Sequence, residues 1–374
     1  MKKIWIGIII IAAVVLAIVL MITQVKKESD EIKIGAILPL SGNTAWLGEQ
    51  HKWGLDLAVE DINSKGGIKG KKLKIIYEDD KGEALTAVSA FNRLLTFHKL
   101  PLVISVMSSS AMAIIPIAEE KKVVLYANAT HPEIADKSIW TFRNFLTSTQ
   151  EAEEMARICI DKLNIKELAL IYIDDVYGEG ANIFREFYTK SGGKLLQVEK
   201  YQKDGSDFRS EITKVLSVKP KAIYVFGYGN STVILLRQLK EAGYQGIILG
   251  TNNFSGPPIS EVGSGILEGS IFTAPYFSSE ISDKQIREFV ERIKEKSGGK
   301  DPQWNTAVEY DAIFIITKAL SLVQEVSGPE LREALGKVDD FDGIAGRYKY
   351  YPNGEWRLQL TVRTYKAGKQ VPYE

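Results

Sequence analysis

L-P-L-V-I-S-V-M-S-S-S-A, residues 100–111, runs an apolar segment directly into three consecutive serines. Residues 102–106 have the β-branched, two-sided apolar character of a strand buried in a parallel sheet. Behind the serines, Ala111, Ile114, Ile115 and Ala118 recur at helical spacing. A strand is thus expected to feed a helix through Ser108, Ser109 and Ser110. Such a junction presents unpaired N–H groups, hydroxyl donors and the positive end of a helix dipole, which suits a carboxylate or other anionic group. The alternative is that Ser108 or Ser109 only caps the helix.

The same strand-then-helix unit repeats on both sides of this stretch. Residues 32–38, 73–77, 123–126 and 140–143 read as further strands, with helices over 48–63 and along Ala84, Val88, Phe91 and Leu95. Ser64-Lys65-Gly66-Gly67 ends the first helix with the glycines that helix C-termini favour. A helix over 148–163 opens a second series, with strands at 168–173, 194–201, 222–226 and 247–249 and helices at 180–190, 208–217 and 231–242. Regular alternation of this kind predicts an α/β protein with parallel sheets and right-handed crossovers. After a strand at 270–274 the pattern turns helical, over 283–296, 305–326 and 329–336. It ends in a predicted hairpin, 347–351 and 356–365, around Pro352-Asn353-Gly354. The late helices are expected to cover a first lobe (31–146 and 275–343), and the hairpin to complete a second (147–274 and 344–374). Three adjacent crossings would then form a hinge.

Residues 4–23 carry no charge, follow Lys2 and Lys3, and precede Lys26 and Lys27. Twenty helical residues span about 30 Å, whereas the apolar part of a secretory signal is usually only about 7–15 residues. The expectation is therefore an N-terminal transmembrane anchor within residues 1–30 and an extracytoplasmic remainder, tethered to the cell membrane or released if the segment is cleaved. The only cysteine, Cys159, is far from the N-terminus, which excludes a lipid-modified cysteine there and an intramolecular disulfide; between Ile158 and Ile160 it reads as core packing. Lys plus Arg and Asp plus Glu each number 47. That balance argues against nucleic acid, which demands a basic surface.

In open parallel sheets ligands sit beyond the carboxyl ends of the strands. The turns there carry Ser41-Gly42-Asn43-Thr44-Ala45-Trp46, the serines at 108–110, Asn128-Ala129-Thr130-His131, Asp174-Asp175-Val176-Tyr177, Tyr228 and Asn252-Asn253-Phe254. Hydroxyls, amides and aromatics dominate. The three histidines are scattered, with His51 and His98 on helices and His131 before Pro132, and no nucleophile, metal or phosphate-loop motif is present. The expectation is binding without catalysis, cofactor or metal. Asp79-Asp80 reads as a solvated pair and Asp311 as a hinge or capping contact, while Trp304 and Trp356 carry no readable role.

At these residues the chain resembles the periplasmic binding proteins of the leucine/isoleucine/valine type. The resemblance rests on P-L-S-G at 39–42, G-L-D-L-A-V-E-D-I-N-S-K-G-G-I-K-G-K-K-L at 54–73, S-S-S at 108, N-A-T-H-P-E at 128 and Y-G-E-G at 177. It implies a type 1 fold, in which two doubly wound parallel-sheet lobes joined by a three-strand hinge close on a small molecule and deliver it to the permease subunits of an ABC importer. A ligand-sensing domain that signals to a partner is the alternative. An enzyme is the third class and would require turnover.

Carried over residue by residue, the resemblance places a carboxylate clamp on Ser108 and Thr130, with Ser109, the backbone of Val106 or Met107, and Asn128 nearby. It makes Tyr177 and Tyr228 the second lobe's wall and puts Trp46 or Leu47 at the mouth. The departure is Thr251-Asn252-Asn253, where amino-acid binders of this family commonly place an acid for the ligand ammonium. A buried ammonium without a countercharge costs about 3–5 kcal/mol. Asp174 or Asp175 is expected to substitute; failing that, the ligand is an amide, a urea-like compound or a carboxylate without an amine.

Overall fold

Alternating apolar runs and amphipathic segments fold into two α/β lobes in the computed structural model, which describes residues 31–373 except 176 and 279–282. The predicted anchor lies outside the described residues, among which no helix is long and apolar enough to cross a membrane. The first lobe runs β1 (Glu31–Leu38), α1 (Ala45–Ser64), β2 (Lys72–Asp79), α2 (Ala84–His98), β3 (Leu102–Ser105), α3 (Ser108–Lys121), β4 (Val124–Ala127) and β5 (Thr141–Phe142). Its five strands are all parallel in the order β2-β1-β3-β4-β5. The second lobe repeats the plan with α4 (Ser148–Arg157), β6 (Glu167–Ile173), α5 (Gly180–Lys190), β7 (Lys194–Tyr201), α6 (Arg209–Ser217), β8 (Ala222–Phe226), α7 (Gly229–Glu241), β9 (Ile247–Gly250) and β10 (Ile271–Pro275). The helix expected to reach residue 163 instead gives way to a π-helical turn at Ile158–Lys162, and Cys159 is buried there.

Both sheets therefore reverse direction at one place. In the first, β1 has β2 on one side and β3 on the other; in the second, β6 lies between β7 and β8. Successive crossovers leave such a strand on opposite faces, opening a crevice beyond its carboxyl end. The crevice residues are thus the turns after β1 and β3 in one lobe and after β6 and β8 in the other.

After β10 come α8 (Lys284–Ser297), α9 (Trp304–Leu322) and α10 (Gly328–Leu335), then β11 (Phe341–Asp342), β12 (Arg347–Tyr351), β13 (Glu355–Leu358), β14 (Leu360–Lys366) and β15 (Lys369–Pro372). Ile286, Phe289, Val308, Ile313, Ile316 and Leu331 of the late helices share one buried core with Leu55, Ala58, Ile104 and Tyr126 of the first lobe. The two helices α1 and α9 meet closely at Gly54, where a β-carbon would lie 2.1 Å from the Thr306 carbonyl oxygen. That contact explains a glycine inside a helix, where it otherwise lowers stability.

The hairpin differs from expectation. Residues 356–365 do not form one strand in the second lobe: the chain breaks at Gln359. β12 and β13 pair with each other and β12 with β11, and Tyr348, Trp356 and Leu358 fill the first-lobe core. Only β14 and β15 join the second sheet, antiparallel beyond β10. The cause is burial: Trp356 is fully buried against Tyr126, Phe142 and Tyr350. The third crossing therefore falls at 358–360, close to those at 143–148 and 275–277. Tyr276 and Leu358 both approach Gly346, and the Trp356 N–H donates to the Arg143 carbonyl.

Two acidic readings also change or sharpen. Asp79 and Asp80 are not a solvated pair. Asp79 accepts from the Leu40, Ser41 and Lys81 N–H groups and the Ser41 hydroxyl, shaping the P-L-S-G turn, while fully buried Asp80 accepts from the Ser110 hydroxyl at 2.6 Å. Burial alone would raise the Asp79 carboxyl, but Ser41 and the backbone donors hold it below its ordinary value; burial wins at Asp80 and raises it. Asp311 accepts from the Ile344 and Ala345 N–H groups and the Tyr348 hydroxyl, so it shapes the turn leading to β12. Gly343 has no room for a β-carbon there, since one would come within 2.3 Å of that carboxyl.

Candidate functional site

The two crevices face each other across a cavity of about 220 Å³ lined by both lobes. From the first lobe, Thr44, Trp46 and Leu47 come from the start of α1 and the turn before it, and Val106, Met107, Ser108 and Ser109 from the β3–α3 junction. Ala129 and Thr130 follow β4. The serines do not cap α3: the capping position is Met107, in extended conformation with no side-chain cap bond. Ser108 and Ser109 therefore sit in the first helical turn, beside N–H groups that the helix leaves unpaired. The Ser108 hydroxyl also accepts from the His131 N–H at 3.3 Å, linking this turn to the one after β4.

The second lobe contributes Asp175, Tyr177, Tyr228, Asn252 and Asn253. The two tyrosine rings meet edge to face, 5.4 Å between centroids. The Tyr228 hydroxyl donates to Asp175 Oδ2 at 2.7 Å, and the Tyr177 hydroxyl accepts from Asn253 Nδ2 at 2.7 Å. Burial raises both phenols above their ordinary value, at Tyr228 with help from the Asp175 charge, so both keep their protons. Behind the turn, fully buried Glu151 accepts from the Asn252 N–H at 2.7 Å and the Thr273 hydroxyl at 3.1 Å. Burial pushes its carboxyl up to about 7 against those donors.

Two predicted site residues lie elsewhere. Asn128 does not line the cavity: it is fully buried, donates to Glu309 Oε1 at 2.9 Å and accepts from the Asn144 N–H, bracing the turn from behind. Asp174 turns outward to Lys200 and Gln202, and its neighbour Asp175 takes the inward place. Asp175 is already engaged, by Tyr228 on one oxygen and the Gly178 N–H on the other. The remaining predicted residues, Trp46, Met107, Ser108, Ser109, Thr130, Tyr177, Tyr228 and Asn252, all line the cavity.

Residues to which the sequence assigns no ligand role line the walls too, among them His51, Phe145, Lys203, Gln303, Trp304 and Asn305. Trp304 packs on Phe145 at 4.9 Å, giving a role to a tryptophan that had none. A larger outer cleft of about 900 Å³ shares Thr44, Trp46, Lys203, Tyr228 and Gln303 with the cavity and opens it to solvent. The turn after β4 is fixed from behind by Arg143, which donates to the Ala129, His131 and Pro132 carbonyls and forms a buried pair with Glu355 of β13. Across the cleft, His131 Nε2 lies 3.4 Å from Glu179 Oε2. Among the described residues no group of acidic, histidine or cysteine side chains is gathered to hold a metal ion.

A family model described as periplasmic binding protein matches residues 31–369. The chain belongs to that family, and the resemblance drawn from residues 39–42 and 54–73 holds. It is 32% identical over 246 residues to a Leu/Ile/Val-binding protein homolog of Brucella melitensis, covering 65% of this chain and 67% of the relative. It is 25% identical over 331 residues to the leucine-, isoleucine-, valine-, threonine- and alanine-binding protein of Pseudomonas aeruginosa, covering 87% of each. The crystal structure of a leucine-binding protein from Thermotoga maritima superposes with a TM-score of 0.81 at 27% identity, covering 92% of this chain and 98% of that one.

Proposed function

We propose that this protein is an extracytoplasmic solute receptor that captures a small polar ligand, an amino acid or a related amide or carboxylate, between its lobes and delivers it to the permease subunits of an ABC importer. The observation that carries this reading is the opposition of two switch-point crevices around one cavity of about 220 Å³, hydroxyl-lined on one side and aromatic on the other. That volume lies below the range of about 300–1,000 Å³ common for drug-sized ligands, which fits a metabolite of amino-acid size. In this reading Ser108, Ser109 and Thr130 hold a carboxylate at the start of α3, and Trp46, Met107, Tyr177, Tyr228 and Asn252 enclose the rest. The lobes, 31–143 with 277–358 and 148–275 with 360–373, close about the three crossings. The amino-acid ligands named for the Pseudomonas and Thermotoga relatives support the ligand class.

The charge-free run at 4–23 supports a membrane tether for the N-terminus. Fractionation of the full chain tests it: recovery with membranes is expected, and a fully released, shortened chain would overturn it. The receptor itself is tested by a thermal-shift screen of amino acids, amides and short carboxylates. At a hundred times its dissociation constant the true ligand adds about 2.7 kcal/mol of stability. A panel without a hit contradicts the reading, and recovery of a chemically changed ligand would point to an enzyme instead.

A further inference from the structure

One wall of the first-lobe half carries a polar group that the carboxylate clamp does not use. His51, on α1, is fully buried and is one of the residues around the cavity, its ring stacked on Phe145 at 6.1 Å. Its Nδ1 lies 2.8 Å from Oε1 of Glu309, a fully buried carboxylate on α9 that lies 258 positions away in sequence. The same oxygen accepts from Asn128 Nδ2, so Asn128 orients the carboxylate that orients the histidine.

A carboxylate oxygen accepts, so the bond to Glu309 places the imidazole proton on Nδ1. In the neutral ring Nε2 is then a lone-pair acceptor, directed away from Glu309. That atom is buried and has no hydrogen-bond partner. A buried acceptor without a donor is costly, and a ring on the cavity wall can receive its donor from a ligand.

Elsewhere on the cavity the acceptors are hydroxyls, side-chain amide oxygens and a carboxylate already engaged within its own lobe. The turn after β9 offers the neutral amides of Asn252 and Asn253, Asp174 faces outward, and each oxygen of Asp175 already accepts one hydrogen bond, from Tyr228 or Gly178. Glu151 lies behind the Asn252 backbone and does not line the cavity. His51 Nε2 is an acceptor that no protein donor reaches, and the Glu309 carboxylate behind the ring favours a cationic or strongly polarised N–H donor.

We propose that His51, oriented by Glu309, accepts a hydrogen bond from a nitrogen of the bound ligand, so that the site selects carboxylates that also carry an amine or amide N–H. The inference rests on the receptor reading above and narrows its ligand class. It also accounts for the departure at Thr251-Asn252-Asn253: the nitrogen is received by the first lobe rather than by an acid on the second.

Calorimetric titration of the full-length protein tests this with matched probes: L-leucine, L-alanine and L-phenylalanine, each against its amine-free counterpart, 4-methylpentanoate, propanoate and 3-phenylpropanoate. At least one amino acid is expected to bind tenfold or more tighter than its counterpart. His51→Phe should erase that preference, weakening the amino acid tenfold or more and the amine-free acid less than threefold. His51→Gln retains a donor toward Glu309 and an acceptor toward the cavity, and should restore part of the preference if the phenylalanine variant folds poorly. Equal losses for both probes in both variants, or no loss for the amino acid, overturn the proposal. Tighter binding of an amine-free acid by the native protein overturns it while leaving the receptor reading intact. Silence from every probe, and from the wider panel of amides and carboxylates, overturns both.

Discussion

The two halves of the cavity are built from the same topological element and do different work. On the first-lobe side the turns after β3 and β4 present short hydroxyl side chains and a helix start, held from behind by Asp80, Asn128 and Arg143. On the second-lobe side the turns after β6 and β8 present tyrosines whose hydroxyls are already tied to Asp175 and Asn253. The first half lines the cavity with hydroxyls at a helix start; the second lines it with fixed aromatic rings beside the amides of Asn252 and Asn253. A grip and a wall, facing each other across a hinge, are what a receptor that closes on a small polar molecule requires.

Breaking the support of the first half should cost most. Arg143→Ala removes one partner of a buried ion pair and the donors to three carbonyls of the turn carrying Ala129 and Thr130. A loss of about 3–5 kcal/mol in denaturant unfolding is expected. The second half is supported by a different device, a carboxyl raised by burial. Glu151 titrates at about 7 in the folded protein against 4.5 for its ordinary value, so the folded state keeps a proton that the unfolded chain releases. Stability is therefore expected to fall as pH rises from about 4.5 to 7, by roughly 3 kcal/mol from this group. Glu151→Gln should flatten that part of the profile, measured by unfolding at several pH values.

Within the cavity the contrast sharpens further. Ser108→Ala combined with Thr130→Ala should remove most of the ligand-induced stabilisation, about 2.7 kcal/mol at a hundredfold excess over the dissociation constant, and shift the apo melting temperature little. Tyr228→Phe, which removes the hydroxyl donated to Asp175, should cost about 1 kcal/mol of folding stability and leave the ring in the wall. Comparing ligand-dependent melting shifts of these two variants separates grip from wall.

Much of the fold was legible because strand and helix periods alternate cleanly, whereas strand order, and with it the switch points, depends on tertiary pairing. The clearest failure is the hairpin. Apolar and polar residues alternate through Gln359 without a glycine or proline, so one strand and two strands look alike in sequence. What divides them is tertiary, the pocket formed by Tyr126 and Phe142 for Trp356. The cavity-lining turns were legible for a similar reason: they follow strands, and their hydroxyls and amides stand out. Side-chain direction within a turn was not. Asp174 and Asp175 are neighbours, yet one meets Lys200 outside and the other Tyr228 inside. The family resemblance places Asn128 near the ligand, but its side-chain partners are Glu309 and Asn144. His51 had no signal at all, since its meaning depends on Glu309 across a helix pair.

Native mass spectrometry of the full-length protein, purified without added ligand, tests the central claim most directly when run beside the Ser108→Ala, Thr130→Ala variant. The account predicts a small carboxylate-bearing molecule retained by the native protein and lost from the variant. The same mass retained equally by both would contradict it.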